Sequence, residues 1–109
     1  MSTDTPWMVR QGDVALIAVN EIPADAEPVV RDAQGRVVLA YGEATGHAHA
    51  FQESGVLMLR AANAEVFLRV LEPAFLRHEE HTRIAVPPGQ YRVIRQVEYS
   101  PGEILTVAD

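Results

Sequence analysis

Short apolar runs, separated at regular intervals by turn residues, predict a chain that is built of β-strands. The clearest buried strand is Val14–Val19, an uninterrupted apolar run that follows the turn residues Gly12 and Asp13. The longest is Gln90–Tyr99, which alternates in character and begins after a Pro-Pro-Gly turn. The other predicted strands are Arg36–Tyr41, His47–Gln52, Val56–Arg60, Glu65–Leu71 and Thr82–Val86.

The segment Ala61–Leu71 competes as a helix because it contains no internal glycine or proline. Its residues Val66, Leu68 and Val70 fall at every second position, which favours a strand. About eight short antiparallel strands with regular turns predict an all-β fold, a small β-barrel, jelly roll or sandwich. The 109 residues suffice for a single core, so we expect one domain over residues 1–109.

Charge and composition exclude several classes of function. The net charge of −6 leaves no basic face for nucleic acid or for an anionic membrane surface. All nine basic residues are arginine, and lysine and cysteine are absent, which excludes a Schiff base, a thiolate nucleophile and a cysteine-rich zinc site. Neither a secretory signal nor an apolar run long enough to span a membrane can be read, so we expect a cytoplasmic protein.

All four histidines fall in two close pairs, His47 with His49 and His78 with His81. Imidazole is the commonest protein ligand for transition metals. Residues two apart on a strand point to the same face, so the first pair can reach one ion. The second pair, three residues apart, converges only if the chain bends over residues 77–82. We therefore predict one divalent transition metal, copper, iron or zinc, held by the first pair and by one or both members of the second.

Neutral imidazoles leave the charge of a divalent cation unbalanced, and nearby carboxylates can balance it. The candidates in sequence are Glu43, Glu53, Glu79 and Glu80. We take Glu53 and Glu80 as candidate catalytic acids or bases, together with Tyr91, whose phenol could contact a substrate. Other interpretations of the histidines stay open: a surface cluster, a pH-sensing pair, or histidines that are hydrogen-bonded in the core.

The stretch from Thr45 to Glu53 resembles the first motif of the cupin family, in which a strand presents His-x-His and a glutamate as ligands inside a β-barrel. His47, His49 and Glu53 match that order and spacing. Pro87–Gly89 resembles the turn of the second cupin motif, but the remaining histidines precede this turn and none follows it. The resemblance implies a small metal-binding barrel, often dimeric. Cupins include dioxygenases, isomerases, decarboxylases and non-enzymatic binding proteins.

We expect the function to be that of a mononuclear metalloprotein, with the metal as cofactor of an oxidoreductase of oxygenase type. Its substrate would be a small molecule or a carbohydrate. The alternative is a non-catalytic binding module in which all four histidines close a structural site. A homodimer is also expected if Gln90–Tyr99 lies at a sheet edge and pairs with a second copy.

Overall fold

A computed structural model describes residues 7–42 and 47–95 of the chain, and these residues form ten β-strands. The strands are β1 (Met8–Gln11), β2 (Val14–Ala18), β3 (Glu27–Pro28), β4 (Val37–Tyr41), β5 (Ala48–Phe51), β6 (Val56–Arg60), β7 (Val66–Val70), β8 (Ala74–Leu76), β9 (Ile84–Val86) and β10 (Gly89–Arg95). Nothing in the described part of the chain is a helix that could cross a membrane.

Six strands form one antiparallel sheet in the order β1-β2-β10-β7-β6-β3. The other four form two antiparallel pairs, β4 with β5 and β8 with β9. A single bridge between Ala50 and Arg77 joins these pairs, with hydrogen bonds in both directions. The all-β, antiparallel prediction is confirmed, although the described strands do not close into a barrel.

The hydrophobic core lies between the six-stranded sheet and the two strand pairs. Alternation places every second residue of a strand on the core side, which explains why Leu16, Leu68 and Tyr91 are buried on adjacent strands. From the strand pairs, Phe51 and Leu76 pack against them without any exposed surface. The core thus fixes the position of β5 and β8 relative to the large sheet, and these two strands lead into the histidines.

Each predicted strand has a counterpart among the ten, including the segment that competed as a helix, which contains β7. Three strands were not predicted: β1, β3 and β8. They are short or interrupted, and β1 carries the polar residues Arg10 and Gln11. Such segments lack the repeated alternation that marks a strand in sequence.

The condition for the expected homodimer, a long C-terminal strand at a sheet edge, is not met over the residues that the structure describes. β10 pairs with β2 on one side and with β7 on the other. Its backbone hydrogen-bonding groups are therefore used within the sheet, and a dimer that extends the sheet cannot form there. Residues 96–99 of the predicted strand lie outside the described residues.

Candidate metal centre

All four histidine rings meet where β5, the loop after β8 and the β1–β2 hairpin come together. The ring of His78 lies at the centre of the group, with centroids 4.3 Å from His49, 4.6 Å from His81 and 5.8 Å from His47. The sequence pairs are therefore brought to one place, as the prediction of a bend over residues 77–82 requires. The donor atoms of these rings fall into two overlapping sets, each compact enough to hold one ion.

The first set consists of His49, His78 and His81, whose donor nitrogens all lie within 4.8 Å of one another. Ligand nitrogens around one ion, each about 2.0–2.1 Å from zinc, are separated by less than this distance. His49 is buried, whereas His81 is exposed. The set therefore has one rigid, enclosed ligand and one on the solvent side.

A buried glutamine fixes the hydrogen positions of His49. Gln11 Nε2 donates to the carbonyl oxygens of Leu76 at 2.9 Å and Thr82 at 3.0 Å, so its Oε1 is the atom that faces the imidazole. That Oε1 lies 2.8 Å from Nδ1 of His49 and accepts its hydrogen. The lone pair of the neutral ring is then on Nε2, the nitrogen that remains for a metal. An outer partner of this kind commonly orients a ligand histidine and raises its basicity.

Burial holds His49 in the neutral form that metal binding requires. Loss of hydration, reinforced by the positive charge of a protonated His78, lowers the pKa of His49 to about 4. Asp13 acts in the opposite direction, with Oδ1 3.5 Å from Nε2 of His49. At neutral pH the contact is between a neutral imidazole and a half-exposed carboxylate. Asp13 thus stands beside the first set as a source of negative charge for a cation.

Two backbone features bring the hairpin and β5 close to these rings. Gly12 has a φ of +60° at the first position of the two-residue β1–β2 turn, where type II′ hairpins favour glycine. A Cβ at Gly12 would lie 2.9 Å from Nε2 of His81 and 3.1 Å from Cε1 of His49. On β4, the extra residue Leu39 makes a bulge between the pairs that flank it, directly opposite His49. Bulges of this kind redirect side chains next to functional sites.

The second set consists of His47, His78 and Glu79, again with all donor atoms within 4.8 Å. Glu79 Oε1 accepts a hydrogen bond of 2.9 Å from the backbone N–H of Ala48. This hydrogen bond holds the pKa of Glu79 below its ordinary value, so the carboxylate is charged at neutral pH. Oε2 of Glu80 lies 3.4 Å from Nδ1 of His47. The second set is therefore the more acidic and the more exposed of the two.

His78 belongs to both sets, and its ring is already engaged. The backbone N–H of Glu80 donates to Nδ1 of His78 at 3.0 Å, which places the hydrogen of the neutral ring on Nε2. Coordination through Nδ1 takes the lone pair that this N–H uses. Coordination through Nε2 moves the ring hydrogen to Nδ1, where it points at the backbone N–H of Glu80, so two donors face each other. Metal binding by His78 therefore breaks the hydrogen bond with Glu80 in either case.

A cleft of about 220 Å³ adjoins the second set. Ala48 and Ala50 of β5 form part of its wall, on the strand face opposite His49, and His78 and Glu79 contribute from the neighbouring loop. Arg36 and Arg77 also line the cleft, together with Gln52. The cleft has room for a small anion, and it combines the carboxylate of Glu79 with two guanidinium groups that are each paired with one carboxylate, Arg36 with Asp32 and Arg77 with Glu53.

Glu53 lies apart from both ligand sets. Its Oε2 accepts hydrogen bonds from Phe75 N at 3.1 Å and from Arg77 Nη2 at 3.3 Å. Partial burial raises the pKa of Glu53, but the backbone hydrogen bonds and Arg77 outweigh it and hold the pKa below its ordinary value. The structure thus gives Glu53 a local role: it ties the loop after β5 to β8.

The structure also separates the other predicted catalytic residues. Tyr91 is buried in the core, where its hydroxyl donates to the carbonyl oxygen of Pro87 and its ring packs against Trp7. Glu80 is largely exposed, with its carboxylate 3.4 Å from His47 and its backbone N–H bonded to His78, so it stays beside the second set. Glu43 lies outside the described residues.

Gln11 and Asp13 were not among the residues chosen from sequence. Gln11 is 38 positions from His49 and 71 positions from Thr82, so no local spacing joins them. The available signal was the Gly-Asp turn before a buried strand, which predicts a hairpin but not the partner of its tip. Had a strand been predicted over residues 8–11, its inward-facing Gln11 would have indicated a buried amide in need of polar partners.

No curated protein and no solved structure shows a significant match to the chain. A family model described as a domain of unknown function (DUF8820) matches residues 10–96, a span that includes all four histidines, Gln11 and Asp13. Because the match covers well over half of the 109 residues, the chain belongs to the DUF8820 family.

Proposed function

We propose that the protein is a metalloprotein that holds one divalent transition ion through His49, His78 and His81. The observation that carries the proposal is the hydrogen-bonded arrangement of His49. Gln11 fixes its hydrogen on Nδ1, burial keeps it neutral, and its Nε2 is left beside two further imidazoles. Nitrogen donors without thiolate suit zinc, copper and iron.

The geometry favours an open site over a closed four-histidine site. A closed site needs all four rings around one ion, whereas the donor atom of His47 groups with His78 and Glu79. Three imidazoles leave one or more positions for water, for the carboxylate of Asp13 or for a substrate. A catalytic role for the metal is therefore better supported than a purely structural one.

The reaction we propose is a metal-dependent oxidation of a small molecule or carbohydrate by molecular oxygen, in which the cleft beside His78 receives the substrate. The chain has no cysteine or lysine, so a bound metal would supply the reactive chemistry. A redox-capable ion, copper or iron, suits both the imidazole donors and this reaction. The cupin family, whose first motif the order of His47 and His49 resembles, includes oxygenases.

The metal is tested first. Protein purified without a histidine tag, then stripped and titrated with Zn²⁺ or Co²⁺, should bind one equivalent, and His49→Ala should lower the affinity by more than the roughly 10–100-fold that loss of an outer partner costs. Gln52→Ala, which lies just after β5 and lines the cleft with Ala48 and Ala50, serves as the control and should bind as the wild type does. Binding of less than about a tenth of an equivalent by the wild type contradicts the proposal.

The oxidation is tested separately. Protein loaded with Cu²⁺, an ion that suits three imidazoles, is incubated with a panel of small organic acids, alcohols and sugars, and oxygen consumption is followed with an electrode. Turnover should appear with a redox-active metal, be absent with Zn²⁺, and be lost in His49→Ala. Turnover that persists in His49→Ala would contradict an oxidation centred on this site.

A further inference from the structure

We propose that His47, His78 and Glu79 form a second position for the metal ion, which competes with the first and is preferred by harder ions. This inference rests on the proposed function, because both positions draw on the same histidine. The second set borders the cleft, through His78 and Glu79, whereas the first is backed by the buried Gln11. One chain would thus offer two coordination environments side by side.

Competition follows from the chemistry of one imidazole ring. Neutral imidazole has a single nitrogen lone pair, so His78 serves one ion at a time. Its hydrogen bond with the Glu80 N–H already shows the ring in its neutral, accepting form. Two ions could share it only as an imidazolate, which needs the loss of a second proton. The bound ion therefore occupies one position or the other.

The donors of the two positions differ in kind. The first offers three imidazoles, which suit Zn²⁺ and Cu²⁺. The second offers two imidazoles and the Glu79 carboxylate, the donor combination typical of non-heme Fe²⁺ sites, and its oxygen ligand also suits Mn²⁺. Glu80, 3.4 Å from His47, adds negative charge on the same side. The identity of the ion would therefore decide which position is filled.

Glu79 is prepared for this role by its backbone contact. Ala48 N–H binds Oε1 of Glu79 at 2.9 Å, which fixes the carboxylate beside β5 and leaves Oε2 for an ion. Because the second position adjoins the cleft of about 220 Å³, an ion there would be close to a small molecule held between Arg36 and Arg77. The inferred substrate is accordingly a small anion, such as a carboxylate, that meets the ion and a guanidinium together.

The test compares two variants that each remove one imidazole, His47→Ala and His81→Ala. Metal-free protein is titrated with Zn²⁺ against a chromophoric chelator and with Mn²⁺ by the electron paramagnetic resonance of the free ion. His81→Ala should weaken Zn²⁺ binding more than about 10-fold and Mn²⁺ binding less than about 3-fold, and His47→Ala should do the reverse. In the wild type, the two ions should displace each other, with one equivalent bound in total.

Glu79→Gln provides a second variant, because Glu79 is exposed and glutamine keeps the acceptor for Ala48 N–H. It should weaken Mn²⁺ more than about 10-fold and leave Zn²⁺ within about 2-fold. Simultaneous binding of two equivalents, or a wild-type Mn²⁺ dissociation constant above about 1 mM, overturns the inference. So does Mn²⁺ binding that depends on His81 as Zn²⁺ binding does, and this result leaves the proposed function intact. Failure of the wild type to bind Zn²⁺ refutes the proposed function as well.

Discussion

Gly12→Ala should weaken the metal centre in two ways, by straining the backbone of the hairpin and by placing a Cβ against two histidine rings. The residue has a φ of +60°, in the left-handed region where an L-residue costs about 1–2 kcal/mol. In addition, the new Cβ would lie 2.9 Å from Nε2 of His81, when ordinary contact begins at 3.4 Å. The His81 ring must therefore retreat by about 0.5 Å, the difference between these distances, or the hairpin tip must move by the same amount.

Gly35→Ala is the matched control. Gly35 has a φ of +78°, and a Cβ there would have no atom within 4 Å. Alanine at this position is also strained by a positive φ, but its Cβ touches no histidine. Gly35→Ala should lose about 1 kcal/mol of unfolding free energy, equivalent to a decrease in Tm of about 4–8 °C for a domain of this size, and Gly12→Ala should lose at least as much because of its added contacts.

Metal affinity separates the two variants. A displacement of about half an ångström at a ligand reaches the limit that a precise constellation tolerates, so Gly12→Ala should weaken Zn²⁺ binding about 10-fold, or about 1.4 kcal/mol. Gly35→Ala should remain within about 2-fold of the wild type. The assay is competition with a chromophoric chelator at 25 °C, alongside thermal unfolding of the metal-free protein. Equal Zn²⁺ affinities in the two variants would refute the contact between Gly12 and the metal ligands.

Three further outcomes are expected. Gln11→Leu should weaken Zn²⁺ binding roughly 10–100-fold in a chelator competition, because the tautomer of His49 is no longer fixed, whereas Gln90→Leu, which removes an exposed glutamine bond, should not. In metal-free protein, the pKa of His49 is about 4, below the 6.5 of the unfolded chain, so the unfolded state binds more protons between these pH values. The unfolding free energy measured by urea denaturation should therefore fall as the pH is lowered from 6.5 to 4, with about 3 kcal/mol of the fall due to His49, and a flat profile would contradict this. Zn²⁺ should shift the amide resonance of Glu80, because coordination of His78 breaks their 3.0 Å hydrogen bond, and an unchanged resonance at saturation would exclude His78 as a ligand.

Strand positions could be predicted because they depend on local patterning. Val56–Arg60 coincides with β6, and Val14–Val19 contains β2, since an apolar run between turns has few other stable conformations. β1 and β8 were not predicted because the residues that they bury are determined by partners far away in sequence. The buried residue of β1, Gln11, looks polar in sequence and is buried only because Leu76, Thr82 and His49 satisfy its amide.

The candidate site was predictable in its centre but not in its surroundings. Two pairs of histidines in a chain with no others indicate a common location, and the structure brings all four rings together. The cupin resemblance implied that Glu53 would be a ligand beside His47 and His49, but residue order does not show which nearby donor a carboxylate will find. The backbone N–H of Phe75 and the guanidinium of Arg77 are the donors that hold it.

The departure from the cupin order has a physical explanation in the loop that follows β8. In the cupin pattern, the later ligand comes after the Pro-x-Gly turn, but here β10 follows that turn and lies in the middle of the six-stranded sheet. Of the residues that follow the turn, Tyr91 is buried in the core and Gln90 donates to the carbonyl oxygen of Asn20. The loop over residues 77–82 is free of a ladder and passes beside β5 through the Ala50–Arg77 bridge, so it can supply ligands instead.

The same glutamine joins the fold to the proposed chemistry. Gln11 sits at the end of β1 in the large sheet, and its three hydrogen bonds reach β5, the last residue of β8 and the far end of the ligand loop. An ion held by His49 and the loop histidines would tie together the elements that this side chain already links. Metal binding should therefore raise the unfolding free energy as well as fill a site, since an ion that binds only the folded chain stabilises it in proportion to the logarithm of its concentration over the dissociation constant. The stabilisation should be smaller in Gln11→Leu at the same Zn²⁺ concentration, because both the affinity and the docking of β1 depend on that amide.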